Sequence, residues 1–270
     1  MQNIFISHIS ALIFYRMLRI FDDIELKVAR VKPNPNHRTS IKNILTARIP
    51  YVFENRDILD LLISNHAAIH SSKKINYKYS AAKFPFGSFV KFKDNIFISS
   101  PELLFYQLAS ILDESKLFLL GLEFCGKYSI SKDSPDGFVT NIKPLTTPEK
   151  INNYLKLLSK ENKYLPYISI AKKVAKELKA NSASPQESRL FIKLCLPRKY
   201  GSYGARGFVF NKPIKLSQRS FDILGQTTIK PDLVNEETKV AIEYDSSAFH
   251  ENADQNARDK LRLDALHNDG

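Results

Sequence analysis

Three carboxylates near the C-terminus recur at a spacing that suits cation chemistry: Asp232 directly after Pro231, then Glu243 and Asp245 flanking Tyr244, with His250 five residues further on. Hard divalent cations prefer oxygen ligands. A cation held beside a phosphodiester activates water and neutralises charge on the phosphate, and a histidine close by serves as general acid or base, or as a phosphate contact. We therefore expect Asp232 and Glu243 to ligate Mg2+ or Mn2+. Asp245 is expected as a third ligand or as a carboxylate that orients water, and His250 as the group that assists proton transfer. Each has a plainer alternative: Asp232 as an acid beside a turn, Asp245 as a strand terminator, His250 as a packed or exposed structural histidine. Glu243 is harder to dismiss, because strands disfavour glutamate and a buried charge needs a partner.

Positioning these groups falls to two β-prone runs, Thr227–Val234 and Lys239–Asp245, around the polar turn Asn235-Glu236-Glu237-Thr238. That pattern signals a hairpin. Strand alternation puts Glu243 and Asp245 on one face and Ile242 and Tyr244 on the other. Pro231 holds Lys230 extended, so Asp232 on the partner strand can meet them.

Charge is distributed to match. Residues 184–222 carry 8 basic and 2 acidic side chains, and residues 223–270 carry 5 and 10, within a chain of formal charge +12. Carboxylates for a cation beside lysine and arginine for phosphates are what a metal-dependent enzyme acting on a polyphosphate backbone needs. Arg198, Lys199 and Arg206, in a Gly- and Tyr-rich stretch read as a flexible loop, are expected to track phosphates. Solvated faces are the bland account of the same charges. It applies equally to Lys172, Lys173, Lys176 and Lys179, three of which share a face of a helix expected over 166–180.

Upstream, helical apolar spacing runs from Ser7 to Ile20, and a second short helix is expected at Asp57–Ile63. Strands are expected at Ile75–Tyr79, Ser88–Phe92 and Asn95–Ile98. Ser99-Ser100-Pro101-Glu102 is a helix start opening residues 101–113, and further helices are expected at Ser115–Phe124 and 148–160. Residues 130–150 read as an exposed loop. A polar linker, Asn181–Ser184, precedes Ser184-Pro185-Gln186-Glu187, a capping-box pattern.

Composition closes off several classes. With 43% hydrophobic residues the chain is not of disordered type. His8, Arg16 and Arg19 interrupt the apolar N-terminus, and no run suits a membrane span, so no membrane partner is expected. Cys125 and Cys195 lack zinc or disulfide spacing, which fits a reducing, cytoplasmic compartment.

Pro231-Asp232, Glu243-Tyr244-Asp245, His250 and a following stretch with Asp259, Arg262, Leu266 and Gly270 together resemble the small endonuclease-type domain related to very-short-patch repair enzymes, in the PD-(D/E)xK superfamily. The likeness covers residues 184–270. More weakly, Ser100-Pro101-Glu102-Leu103-Leu104 and Glu123-Phe124-Cys125-Gly126-Lys127-Tyr128 resemble the N-terminal regions of uncharacterised bacterial proteins that end in such a domain. The resemblance implies an α/β protein: an N-terminal mixed α+β region over 1–181 and an α/β/α restriction-endonuclease-like domain on a mixed sheet over 184–270. It implies magnesium-dependent hydrolysis of duplex DNA with little sequence preference. The alternative it leaves is a catalytically inactive DNA-binding or antitoxin-like regulatory protein. In the superfamily a glutamate on the leading helix faces the metal, which would give Glu187 a catalytic role beside its capping one. The pattern also carries a lysine two positions after the glutamate, where this chain has Asp245, and usually a glycine next, where it has Ser246. Such domains continue into another apolar strand beyond the position of Gly270, so the domain is expected to be truncated at its C-terminus.

Overall fold

The computed structural model describes residues 3–21, 27–28, 58–65, 69, 73–93, 95–244, 260–262 and 264. The chain divides into two compact units, Met1–Leu178 and Lys179–Gly270, and is mixed α/β. No helix among the described residues is long and apolar enough to cross a membrane.

In the first unit, β1 (Ile4–Ile6), β2 (Lys27–Val28), β3 (Leu59–Ile63), β4 (Ile75–Tyr79), β5 (Phe89–Lys93) and β6 (Ile96–Ser99) form a mixed sheet of order β2-β5-β6-β1-β3-β4. β1 runs parallel to β6 and β3 parallel to β4, and the other pairs are antiparallel. The helices of this unit are α1 (His8–Phe21), α2 (Pro101–Leu108), α3 (Glu114–Cys125), α4 (Pro148–Glu161) and α5 (Ile168–Ala175). Phe5 packs edge-on against Phe89, with centroids 4.9 Å apart, and stacks on Phe97 at 5.2 Å.

One helix expected from the sequence is a strand. Leu59-Asp60-Leu61-Leu62 forms most of β3, buried along its length between β1 and β4. A strand covered on both faces shows a near-continuous apolar run, which periodicity does not separate from a short buried helix. Asp60 within it is 2% exposed and accepts from Ser10 N (3.3 Å) and Asn76 Nδ2 (2.7 Å). The stretch expected as a loop at 130–150 contains part of a hairpin, β7 (Tyr128–Ile130) with β8 (Phe138–Thr140), turned by Gly137 at φ 77°. Pro135-Asp136-Gly137 is a hairpin tip as well as a loop signal. The helix expected over 166–180 is shorter, and Lys173 on it is held by Glu114 at 2.8 Å.

Helix starts follow one chemistry in both units. Ser100, Thr147 and Ser184 each accept a hydrogen bond from the backbone N–H three residues on, with proline at the next position. That proline loses nothing, because its N–H would be an orphan there.

The second unit opens with α6 (Pro185–Cys195) and a 3-10 turn at Arg198–Tyr200, and α7 (Gln218–Leu224) lies between strands. β9 (Val209–Phe210), β12 (Leu233–Asn235) and β13 (Val240–Ile242) form a three-stranded sheet of order β13-β12-β9, and β10 (Ile214–Lys215) pairs with β11 (Thr228–Ile229). All described pairings in this unit are antiparallel, so the mixed sheet lies in the first unit. The run Thr227–Val234, expected as one strand, is split. Pro231 cannot donate to a ladder, and the strands on its two sides pair with different partners.

Candidate active site

Glu187 enters the site from the first turn of α6, only 6% exposed. Its backbone N–H donates to Ser184 Oγ (3.1 Å), while its Oε2 accepts from Ala183 N (2.8 Å). The capping role expected of Glu187 is therefore made, with the carboxylate reaching one residue further back than in the usual box. The same oxygen accepts from Asn211 Nδ2 at 2.6 Å.

Asn211 follows β9 in a left-handed conformation, φ 50°, which asparagine tolerates better than most side chains. Its backbone N–H donates to the carbonyl of Asp232 (3.1 Å), and its side chain also donates to the carbonyl of Asn181 (3.0 Å). One residue thus joins the leading helix to the hairpin that bears the acids. Sequence reasoning missed it. Its signal, an asparagine before Lys212-Pro213 at the end of an apolar run, reads only as a turn.

The hairpin is in register Leu233↔Ile242, Val234↔Ala241 and Asn235↔Val240. Asp232 and Glu243 occupy the next position of their respective chains, at the open end. Asn235, itself in the ladder, accepts from Glu237 N (3.1 Å) and Thr238 N (3.2 Å), so the turn sits one residue later than expected, at Glu236–Lys239. Its Nδ2 donates to Arg206 O (2.8 Å). A Cβ on Gly207 (φ 83°) would lie 2.8 Å from that nitrogen, so the close approach requires glycine there.

Asp232 Oδ2 accepts from Tyr244 N at 2.7 Å. Burial pushes its carboxyl above the usual range, and the Tyr244 N–H and the Arg262 guanidinium pull the other way. Burial also raises the Glu187 carboxyl. The N–H groups of Ala183 and Asn211 oppose that rise, and the charge of Asp232 adds to it. Two acids raised by burial, one of them further by the charge of the other, form a position where a cation would be welcome.

Glu243 departs from its expectation of burial. It lies just past the end of β13, its side chain is 39% exposed, and its Oε1 accepts from Arg262 Nη2 at 2.5 Å. Asp245 and His250 lie outside the described residues. Among the described residues, no three histidine, cysteine, aspartate or glutamate side chains form a group that could hold a metal ion. The donor chemistry of Asp232 and Glu243 still fits a small hard cation. Mg2+ keeps several waters and is commonly held by one or two carboxylates plus substrate phosphate.

The basic stretch is more ordered than a flexible loop. Tyr203 N and Ser202 Oγ both donate to Lys193 O (3.1 and 2.9 Å), and Ala205 N donates to Leu194 O (2.8 Å). These bonds fasten the stretch to the carbonyls that α6 leaves unpaired at its C-terminus. Arg198, Lys199 and Arg206 are exposed on it, and Lys199 Nζ stands 5.1 Å from the centre of the Tyr200 ring. Cys195 offers no ready thiolate, since burial pushes its thiol up to about 11.

Comparison of the chain with protein-family models, curated proteins and solved structures finds no match.

Proposed function

We propose that the chain is a metal-dependent DNA endonuclease that hydrolyses phosphodiester bonds, its second unit folded in the restriction-endonuclease manner. The observation that carries this reading is the desolvated acid pair Glu187 and Asp232, each held above the usual carboxylate range, with Glu243 at the adjoining position of the hairpin. Folding does not gain from burying carboxylates, one of which feels the charge of the other, and a cationic ligand would offset that cost. Asp232 and Glu243 would hold Mg2+ or Mn2+, and Asp245 would complete the set or orient water. When bound, the metal lowers the pKa of water and offsets charge on the phosphate. His250 would take the proton of the attacking water and return one to the leaving oxygen as the P–O bond breaks. Arg198, Lys199 and Arg206 would grip the backbone of duplex DNA without reading its sequence.

One specific observation favours a second reading, a catalytically inactive DNA-binding or antitoxin-like regulator: Arg262 already pairs with Glu243, and Asp245 stands where the motif lysine would. Nicking of supercoiled plasmid separates the two. The endonuclease nicks only with Mg2+ or Mn2+, and Glu243→Gln abolishes nicking while leaving DNA binding intact, whereas the regulator binds plasmid and never nicks it.

A further inference from the structure

The acid at position 245 leaves a charge deficit. A lysine there would offset negative charge building on the phosphate, and an aspartate does the reverse, so a working site must draw positive charge from elsewhere. Arg262 is placed to supply it. Its Nη2 lies 2.5 Å from Glu243 Oε1, and it is near enough to Asp232 to draw that carboxyl down. Its Nε is buried and has no acceptor among the described residues.

That last feature matters because a guanidinium presents its donors as a rigid fork. Glu243 engages one nitrogen of the fork, and among the described residues the buried Nε has no acceptor, an arrangement that costs free energy until a second acceptor is supplied. The group whose geometry satisfies two prongs of the fork at once is a carboxylate or a phosphate. A divalent cation entering between Asp232 and Glu243 would compete with Arg262 for the same oxygen, because like charges cannot share one carboxylate without repulsion.

We propose that Arg262 is a resident counter-cation, displaced from Glu243 by the metal and thereby freed to grip a phosphate oxygen in place of the missing motif lysine. The proposal rests on the reading of Asp232 and Glu243 as metal ligands. Before metal arrives, Arg262 keeps Glu243 paired. After displacement, the same guanidinium serves the substrate.

The test is calorimetric titration of Mn2+ into the intact protein, alongside duplex-oligonucleotide binding with and without Ca2+. Wild type is compared with Arg262→Gln and, as a variant that keeps the charge should the first fail to fold, Arg262→Lys. Without the competing cation, Arg262→Gln should bind Mn2+ severalfold to about tenfold more tightly, the scale of one screened charge near a surface. It should also lose most of the Ca2+-dependent gain in duplex affinity. Arg262→Lys should lose that gain too, because an ammonium lacks the fork. Mn2+ affinity equal or weaker in Arg262→Gln, a Ca2+-dependent gain that survives in either variant, or no Mn2+ binding by any form would each overturn the proposal. Plasmid nicking by wild type is scored separately. Exchange without nicking defeats hydrolysis and leaves the role of Arg262 standing, and nicking without exchange does the opposite.

Discussion

Asn211 reaches Glu187 across the second unit, Nδ2 to Oε2 at 2.6 Å, while its own backbone N–H is spent on the carbonyl of Asp232. The left-handed conformation at φ 50° lets it do both. Glycine adopts that conformation without strain, so Asn211→Gly removes only the amide, with its bonds to Glu187 and to the Asn181 carbonyl. A hydrogen bond to a charged group contributes roughly 1.5–3 kcal/mol, and a loss of about 2 kcal/mol is expected in urea unfolding. Asn211→Ala should cost about 1 kcal/mol more, from the left-handed strain of a Cβ. Equal stability of the glycine variant and wild type would show that the bond holds nothing together.

The acid pair sets a pH dependence of definite sign. Burial, the first cause for both, raises Glu187 from an ordinary 4.5 and Asp232 from 3.8. Above those ordinary values the folded protein binds more protons than the unfolded chain, so stability falls as pH rises. The contribution is complete below the ordinary values and is lost as pH climbs through the raised ones. Glu187→Gln withdraws one group from this titration and the like charge facing Asp232. The variant should lose less stability than wild type between about pH 4 and 7 and be at least as stable at neutral pH. Unfolding curves across that range check it, and a steeper loss in the variant would refute the assignment.

Strand parity and turn chemistry made the β12–β13 hairpin legible, and the capping pattern made the start of α6 legible. Asn211 was not legible, because its partners Asn181, Glu187 and Asp232 come together only through tertiary packing. Glu243 was misjudged for a related reason: an apolar run suggests burial, but the strand ends at Ile242 and the glutamate emerges beside Arg262. In the first unit, the Leu-Asp-Leu-Leu run fits both a short helix and a central strand, and only its neighbours β1 and β4 decide between them. Glu123, part of the upstream motif likeness, is a buried anchor that accepts from Arg16 Nε and Nη2 at 2.9 and 2.6 Å.

Arg198 and Lys199 give the DNA-binding claim its own test. Both are exposed on a stretch fastened to the end of α6, so replacing them with alanine removes the long Arg198 Nε–Tyr203 O bond (3.4 Å) but keeps the scaffold bonds donated by Ser202, Tyr203 and Ala205. Removing one phosphate-binding cation should lower the slope of log affinity against log salt by about 0.9, so the double variant should flatten it by about 2. The weakening should be the same for unrelated duplex sequences. An unchanged salt slope would remove this face from the DNA interface.

Asp232 is the residue on which the central claim turns, because it is electrostatically tied to both Glu187 and Arg262. The most direct measurement is the single-turnover rate of supercoiled-plasmid nicking by the intact wild-type protein and by Asp232→Asn, at Mn2+ concentrations that saturate binding. Metal-dependent nicking by wild type, lowered on the order of a hundredfold or more in Asp232→Asn with duplex affinity retained, is the predicted result. No nicking by wild type at saturating Mn2+ or Mg2+, or an equal rate in Asp232→Asn, would contradict it.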